Sequence, residues 1–276
     1  MRLIDGKAHA ARLGEEVSAR AAELRSQGTD PTLAVVVPTD DEATAWYVRS
    51  IARTAEKTGV TCRIVHLDQP TGDEVAGTLA ELGADPEVHG LICQTPLPAG
   101  VTLDQVGEHI PVAKDVDGAN PASLGRLAAG LPAYAPATAR AVLELLLAEN
   151  VPLSGVAATV VGRSTVVGKP AALLLLAQNA TVTVAHSRTR DLAAVCRQAD
   201  VLVAAVGRAH LIGDEHIKPG AVVIDVGTNP TDDGGLTGDV DPAVTTAGAL
   251  TPVPGGVGPV TTMLLLAQTL DAASVR

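Results

Sequence analysis

Seven short apolar runs limit the fold most, because each has the length of a β-strand and is bounded by Gly, Pro, Asp or Asn. The runs are continuous rather than alternating, which is typical of parallel strands that are covered on both faces. Ala-rich helical patterns separate them, as βαβ units require. The sequence therefore predicts an α/β protein with parallel sheets. In order, the runs read TLAVVVP, CRIVHLD, HGLICQTPLP, AATVVGRS, ATVTVAHS, ADVLVAAVG and AVVIDVGTNP.

The runs fall into two groups, three near the start and four in the second half, which indicates two domains. The segment between the groups is rich in Pro and Gly up to Pro136, and an amphipathic helical pattern follows. We predict one α/β domain over residues 1–136 and a second over 137–258. The last helical segment, 259–276, fits either domain by its pattern, and we assign it to the first.

Composition excludes several classes of function. The net charge is −11 and no basic run is present, so nucleic acid is not an expected partner. The absence of Phe, with one Trp and two Tyr, leaves no aromatic platform for bases and predicts an aliphatic core. No apolar run is long enough for a membrane span and the charged start lacks a secretory pattern, so we expect no membrane partner. Three scattered cysteines fit a reducing cytoplasm.

The second half contains a strand, a glycine turn and a helix in the stretch AATVVGRSTVVGKPAALLLL. Gly162 and Gly168 would let the backbone approach a pyrophosphate at the helix N-terminus, where N–H groups and the helix dipole favour anions. Their spacing is G-x5-G rather than G-x-G-x-x-G, so an ordinary tight βα turn remains the alternative.

The loop after the next strand favours NADP over NAD. NAD enzymes usually carry Asp or Glu there for the ribose hydroxyls, whereas this chain has His186, Ser187 and Arg188, with Arg163 in the glycine turn. A hydroxyl and positive charges would bind a 2′-phosphate, although such arginines can also be solvated loop charges. The predicted cofactor-binding residues are Gly162, Arg163, Ser164, Val167, Gly168, His186, Ser187, Arg188, Gly207 and Thr228.

Two further loops follow strands, AAVGRAHLI and IDVGTNP. Strand carboxyl ends form the ligand crevice of an open α/β sheet. Gly207, Asp225, Gly227 and Asn229 are therefore either cofactor-loop residues or simple turn residues.

Polar residues also follow a strand in the first half. Gln94 stands at a strand end before a rigid Pro-containing turn, where it can orient a polar substrate atom or cap the turn. Asp115 and Asp117 lie in the tight loop KDVDG beside Lys114; no third acidic or His ligand is near, so we predict no metal site and keep a turn as the alternative.

The segment TPVPGGVGPVTTM combines three prolines with three glycines. Proline fixes the chain while glycine admits a close approach to the backbone. The segment is therefore a candidate binding loop, with a structural linker as the alternative. The residues we single out are Pro254, Gly255 and Gly256.

Together these motifs resemble the methylenetetrahydrofolate dehydrogenase/methenyltetrahydrofolate cyclohydrolase family. The matching stretches occur in the family's order and cover nearly the whole chain. They are YVRSIARTAEKTG, GLICQTPLPAGV, KDVDGANPASLGRL, VVGRSTVVGKP, GAVVIDVGTNP and TPVPGGVGPVTTMLLLAQTL.

The resemblance implies an N-terminal folate domain, a C-terminal Rossmann domain that binds NADP, a cleft between them and a homodimer. It also implies hydride transfer from 5,10-methylenetetrahydrofolate and then ring opening of the methenyl product to 10-formyltetrahydrofolate. By the same resemblance, the substrate-site Tyr is Tyr47, the Gln is Gln94 and the pterin-binding Asp is Asp117. The family's catalytic Lys, one turn after the Tyr, is replaced by Ile51.

No other cation on the same predicted helix, residues 43–59, takes the place of that Lys. Arg49 lies roughly 200° from Tyr47 around the helix and Arg53 roughly 120°. Lys57 returns to about the right face but lies roughly 15 Å along the axis. Isoleucine cannot activate water, so we expect a dehydrogenase with weak or absent cyclohydrolase. A fully bifunctional enzyme and a non-catalytic folate- and NADP-binding paralogue are the alternatives.

Two further departures from the family lie near the expected folate site. The segment before Tyr47 has Thr39 and Thr44 where the family usually has Gly and Ser, and Thr95 replaces a Leu after Gln94. Thr44 keeps a hydroxyl. The nucleotide half is closer to the family pattern.

Overall fold

The computed structural model describes residues 1–231 and 233–275. The chain divides into two compact units. The N-terminal unit comprises Arg12–Ala137 and Thr262–Arg276, and the C-terminal unit comprises Met1–Ala11 and Thr138–Thr261.

The N-terminal unit is built on a parallel sheet with the strand order β3-β2-β4. The central strand is buried at every position, as its continuous apolar run predicts, whereas the edge strand β3 has exposed positions. The expectation that every run is covered on both faces is therefore wrong for this edge. The strands are β2 (Thr32–Val37), β3 (Thr61–His66) and β4 (Gly90–Cys93).

Side-chain caps define where two helices of this unit begin. The Asp41 carboxylate accepts from the backbone N–H of Thr44 at 2.8 Å, and Thr71 and Glu74 form a reciprocal capping box. The helix predicted over residues 43–59 is confirmed, one residue earlier at each end. The helices are α2 (Glu42–Thr58), α3 (Gly72–Ala84), α4 (Leu103–Gly107) and α5 (Pro121–Ala128).

The C-terminal unit contains a parallel sheet with the order β1-β11-β8-β7-β5-β6, so the predicted Rossmann-type parallel sheet is confirmed. The strands are β1 (Arg2–Leu3), β5 (Ala157–Val161), β6 (Thr181–Ala185), β7 (Val201–Ala204), β8 (Val222–Asp225) and β11 (Ala249–Leu250). Helix α7 (Gly168–Ala177) connects β5 to β6, and α8 (Leu192–Cys196) connects β6 to β7. Strand β9 (Asn229–Pro230) pairs antiparallel with β10 (Leu236–Thr237).

The start of the chain groups with the C-terminal unit. Residues Met1–Ala11 cluster with that unit by their contacts, whereas the sequence analysis places them in the domain over residues 1–136. The physical reason is that β1 pairs with β11, with Arg2 opposite Ala249 and Leu3 opposite Leu250. Two-residue strands carry too little pattern to be found in the sequence.

Three helices contain or adjoin the boundaries between units: α1 (Gly6–Ser26), α6 (Ala137–Ala148) and α9 (Val257–Ala273). The amphipathic helix predicted after Pro136 is α6. The predicted C-terminal helix, 259–276, begins two residues earlier and ends at Ala273; its last residue, Arg276, lies outside the described residues.

The buried hydrophobic residues are almost entirely Leu, Val, Ile and Ala, as the near absence of aromatic residues predicts. Within the described residues, no helix combines the length and apolar character needed to span a bilayer.

The packing of Gly90 gives a test of the N-terminal unit. A Cβ added there would lie 2.5 Å from the Thr269 hydroxyl oxygen and 3.1 Å from a Val116 methyl group. We expect Gly90→Ala to lower the free energy of unfolding by roughly 1–3 kcal/mol through overpacking, measured by urea titration.

The matched control is Gly77→Ala in α3, where an added Cβ meets nothing within 4 Å. Because glycine inside a helix costs conformational entropy, this change should stabilise by about 0.5–1 kcal/mol. Equal effects of the two substitutions would contradict the packing described.

Candidate functional site

The carboxyl ends of four strands meet at one edge of the larger sheet. In register, Val161 lies opposite Ala185 on one side and Ala204 on the other, and Ala204 lies opposite Asp225. The chain runs from β5 outward to β6 and then crosses to β7, so the strand order reverses between β5 and β7. In open α/β sheets, such a switch point forms the ligand crevice.

The glycine turn at this crevice is as tight as the sequence predicts. Gly162 has φ +133°, and a Cβ there would lie 2.1 Å from the Ala205 carbonyl oxygen; a Cβ on Gly168 would lie 2.3 Å from the Gly162 carbonyl oxygen. The Ser164 hydroxyl accepts from the N–H groups of Val167 and Gly168 at 3.2 and 3.3 Å. This cradle at the start of α7 fits a pyrophosphate group.

The residues predicted to bind a 2′-phosphate lie on neighbouring loops. Arg163 follows β5, Ser187 and Arg188 follow the adjacent β6, and all three are exposed. His186 orders the second loop through two hydrogen bonds. Its ring Nδ1 accepts from the backbone N–H of Arg188 at 3.1 Å, and its backbone N–H donates to the Thr189 hydroxyl at 2.8 Å. The arrangement offers cationic and hydroxyl groups to an anion.

A buried carboxylate that we did not single out in the sequence organises the loops after β7 and β8. Asp239 is 0% exposed and accepts from the N–H groups of Val206, Gly207 and Arg208 at 2.6–3.0 Å and from Nδ2 of Asn229 at 3.0 Å. Only the Gly-Asp-Val context after a short hairpin could have drawn attention to it.

Asp225, at the end of β8, accepts hydrogen bonds from the backbone around Asp239 and from the loop after β8. Its carboxylate accepts from the N–H groups of Gly227, Asp239 and Val240 at 2.9–3.0 Å. Burial raises the pKa of Asp225 to about 6, against the opposing effect of these hydrogen bonds. For Asp225, Gly227 and Asn229, the contacts therefore favour the turn interpretation over direct cofactor contact.

In the N-terminal unit, α2 carries the residues that the resemblance assigns to catalysis. Its buried stripe consists of Thr44, Val48, Ile51, Ala55 and Thr58, and Ile51 is 0% exposed. The cationic residues of the helix, by contrast, are all exposed. They are Arg49, Arg53 and Lys57.

Tyr47 and Asp117 are brought together. Tyr47 is half-buried and its phenol forms a hydrogen bond with the Thr262 hydroxyl; burial and then the charge of Asp117 raise its pKa. Burial raises the pKa of Asp117 to about 7, and Asp115 adds to the rise, while the Ala137 N–H, 3.2 Å from Oδ1, opposes it. Asp117 therefore changes its charge near neutral pH.

Gln94 lies beside the first turn of α2. The backbone N–H of Gln94 donates to the Val36 carbonyl at 2.9 Å. The backbone carbonyl of the next residue, Thr95, accepts from the Thr44 hydroxyl at 2.8 Å. Thr44 thus keeps the hydroxyl expected at this place but uses it to hold the loop after β4.

For Asp115, the turn interpretation is the one that the contacts support. Its buried carboxylate accepts from the N–H groups of Ala119 and Asn120 at 2.8 and 3.0 Å and from the Ser123 hydroxyl at 2.5 Å. The ammonium group of Lys114 donates to the Asp85 carbonyl at 2.6 Å. This loop fixes the backbone on which Asp117 stands.

In the Pro- and Gly-rich segment, the close approach at Gly256 is made by the chain itself. A Cβ on Gly6, at the start of α1, would lie 1.8 Å from the Gly256 carbonyl oxygen. Pro254 is exposed and Gly255 has φ +109°, beside the Lys7 side chain. A structural role is therefore established for Gly256, and Pro254 and Gly255 remain predicted substrate contacts.

Family models match both parts of the chain. Residues 4–117 match the tetrahydrofolate dehydrogenase/cyclohydrolase catalytic domain, and residues 136–276 match the NAD(P)-binding domain of the same proteins. The chain belongs to the tetrahydrofolate dehydrogenase/cyclohydrolase family. Membership confirms the predicted family, the two-domain α/β class and the nicotinamide-dinucleotide domain.

Relatives cover nearly the full length of this family member. The bifunctional protein FolD of Parafrankia sp. is 62% identical over 99% of both chains, and FolD 1 of Saccharopolyspora erythraea is 61% identical over 94% of this chain and 89% of its own. The crystal structure of the bifunctional FolD enzyme of Campylobacter jejuni has a TM-score of 0.96 at 38% identity, covering 99% of both chains. The Trypanosoma brucei FolD structure, complexed with NADP and an inhibitor, has a TM-score of 0.92 at 36% identity, covering 99% of this chain and 97% of its own.

The raised pKa of Asp117 predicts a pH-dependent stability. Because the pKa in the folded protein is about 7, above the ordinary 3.8, the protonated acid favours folding at low pH, and this contribution is lost as pH rises through about 7. We therefore compare the free energy of unfolding of Asp117→Asn with that of the wild type, by urea titration at pH 5 and pH 8. The variant should gain stability relative to the wild type as the pH rises from 5 to 8.

Asp104→Asn, which removes an exposed carboxylate from α4 of the same unit, is the control. A difference between wild type and Asp117→Asn that is the same at both pH values would contradict the shifted ionisation.

Proposed function

We propose that the protein is an NADP-dependent 5,10-methylenetetrahydrofolate dehydrogenase whose methenyltetrahydrofolate cyclohydrolase activity is weak or absent. The observation that carries the second part is the complete burial of Ile51, one helical turn after Tyr47, where the resemblance to the family calls for a lysine. Membership of the family supports the first part.

Hydride transfer requires little acid–base chemistry from the protein. Bound NADP would supply the hydride acceptor for the methylene carbon of the folate. The protein must hold the two reacting atoms at near-attack distance, which is a matter of positioning. In the proposed site, Asp117 accepts hydrogen bonds from the pterin, and Tyr47 packs beside the folate, with its ring held by Thr262.

Ring opening of the methenyl product asks for more. A water molecule must be activated, and a proton must move to the departing ring nitrogen. Ile51 has no group that can donate or accept a proton, and the exposed Arg49, Arg53 and Lys57 lie off the buried stripe that contains Ile51. An apolar residue there also leaves the positively charged product without a like charge beside it.

A fully bifunctional enzyme is the second candidate, because relatives that are 62% and 61% identical carry that name. In that case a water molecule or another side chain replaces the lysine. A paralogue that binds folate and NADP without turnover is the third, and any dehydrogenase activity of the purified protein removes it.

Preference for NADP over NAD rests on the exposed Arg163, Ser187 and Arg188 around the glycine turn. A relative of the same fold, from Trypanosoma brucei, has been crystallised with NADP. The free, scattered cysteines are consistent with a reducing cytoplasm, where we propose that the enzyme acts.

We further propose a homodimer. In the C-terminal unit, β6 stands at the end of the strand order, and Val184 on this strand is 42% exposed. Leu176 on the preceding helix is 58% exposed. A strand edge flanked by apolar side chains suits pairing with a second copy.

The cyclohydrolase part is tested by following loss of methenyltetrahydrofolate against a blank without enzyme. We expect wild-type protein to leave the spontaneous rate nearly unchanged. A positioned proton-transfer group contributes about 10²–10⁴-fold, so Ile51→Lys should raise the enzymatic rate by about a hundredfold or more.

Ile51→Met is the matched control, since it keeps a long apolar side chain at a fully buried position. Rapid hydrolysis by the wild type would support the bifunctional candidate and contradict ours, whether or not the lysine variant folds.

Cofactor choice is tested by Arg188→Ala. Because a charge-assisted hydrogen bond contributes about 1.5–3 kcal/mol, kcat/KM for NADP should fall roughly tenfold or more, with kcat/KM for NAD little changed. Arg197→Ala, which removes a guanidinium that donates to the Glu215 carbonyl, is the control. Equal losses with both cofactors would contradict a 2′-phosphate contact.

The dimer is tested by analytical ultracentrifugation. Val184→Lys places a charge on the exposed β6 edge and should shift the protein toward monomer, whereas Leu131→Lys, at another exposed apolar position, should not. A wild type that sediments as a monomer would contradict the proposal.

A further inference from the structure

The Asp239 carboxylate has an unusual set of partners, because three consecutive backbone N–H groups of one loop donate to it. Oδ2 accepts from Val206 at 2.6 Å and Gly207 at 3.0 Å, and Oδ1 accepts from Arg208 at 2.8 Å. Gly207 and Arg208 are exposed, whereas the carboxylate is 0% exposed. A buried group therefore sets the conformation of a surface loop.

The same carboxylate also holds the neighbouring loop. Nδ2 of Asn229, which follows β8, donates to Oδ1 of Asp239 at 3.0 Å. Gly227 makes this approach possible, because a Cβ there would lie 2.5 Å from Oδ1. One carboxylate thus fixes the loops after both β7 and β8.

Asp239 is itself held by the buried Asp225. The Asp239 N–H donates to Oδ1 of Asp225 at 3.0 Å, and the Asp225 N–H donates to the Thr251 hydroxyl at 2.7 Å. A Cβ on Gly238 would lie 1.8 Å from Oδ2 of Asp225, so only glycine at this position lets the Asp225 carboxylate come this close to the backbone beside Asp239. The loops are therefore tied to the sheet through two successive side chains.

The position of these loops in the sheet relates them to one half of a dinucleotide. The first strand of a dinucleotide fold carries the glycine turn for the pyrophosphate, and the two halves of the ligand lie on opposite sides of the switch point. Here β5 carries the glycine turn, and β6, on one side, carries the residues predicted to meet the 2′-phosphate of the adenosine half. The loops after β7 and β8 therefore lie on the nicotinamide side.

We propose that Asp239 is a positioning residue for the nicotinamide half of the cofactor, acting through the loop Val206–Arg208 and through Asn229. The inference rests on the proposed NADP-dependent function. In this role Asp239 acts without contacting the cofactor. It accepts hydrogen bonds from the N–H groups of the loop, so the loop is already ordered when the ligand binds.

The direct test compares two ligands that share the adenosine 2′-phosphate half. Calorimetry gives the Kd of NADP and of adenosine 2′,5′-bisphosphate, which lacks the nicotinamide half. Asp239→Asn replaces one acceptor oxygen by an amide NH2 that cannot accept from the facing N–H groups. We expect it to weaken NADP binding about tenfold or more and to leave the Kd of the bisphosphate within about twofold.

Asp241→Asn is the matched control, because Asp241 is two residues away and its carboxylate accepts only from Ala243, at 2.8 Å, among the hydrogen bonds given by the described residues. Unchanged NADP binding by Asp239→Asn overturns the inference alone. A similar loss for both ligands overturns it as well, since it assigns Asp239 a general structural role. Failure of the wild type to bind NADP overturns the proposed function and the inference with it.

A second measurement needs no variant and so survives a failure of Asp239→Asn to fold. Hydrogen–deuterium exchange of the wild-type protein without cofactor should show protected amides at Val206, Gly207 and Arg208, although the last two are exposed. Exchange of all three at the rate of an unstructured loop would overturn the inference.

Discussion

Buried carboxylates that accept backbone N–H groups hold the loops on which both candidate sites depend. Loops lack the regular ladders of strands, so their buried N–H groups need other acceptors. Asp115 accepts for the loop that carries Asp117, and Asp225 and Asp239 accept for the loops beside the dinucleotide crevice. The polar groups of the sites therefore stand on backbone that is fixed before any ligand arrives.

The candidate folate site combines this rigidity with an apolar side chain on α2. Tyr47 and Asp117 lie close enough for the carboxylate charge to act on the phenol, and Gln94 lies beside the first turn of α2. Ile51 belongs to the buried stripe of the same helix. We propose that Tyr47, Asp117 and Gln94 bind and orient a folate, while the position one turn further on offers no group for proton transfer. Hydride transfer and hydrolysis place different demands on that position, so an apolar side chain there is expected to affect hydrolysis more than hydride transfer.

Periodicity predicts the elements that carry most of the pattern. All seven apolar runs form strands, and α2, α6 and α7 begin close to where the helical pattern places them. The pairing of β1 with β11 is missed because each strand has only two residues and the two strands lie about 250 positions apart in the sequence. Exposure of β3 and β6 is missed because the order of strands, rather than their composition, decides which are edges. Asp239 is missed because most of its partners are backbone N–H groups of a loop about 30 residues away, and such groups carry no residue-specific signal in the sequence.

The ratio of two products tests the central claim most directly. With methylenetetrahydrofolate and NADP as substrates, NADPH and methenyltetrahydrofolate are separated and quantified at successive times, with spontaneous hydrolysis subtracted. If Ile51 leaves the site without a means of activating water, methenyltetrahydrofolate accumulates one for one with NADPH. If NADPH accumulates while methenyltetrahydrofolate stays at a low, constant level and 10-formyltetrahydrofolate appears instead, the enzyme hydrolyses its own product and the account is contradicted.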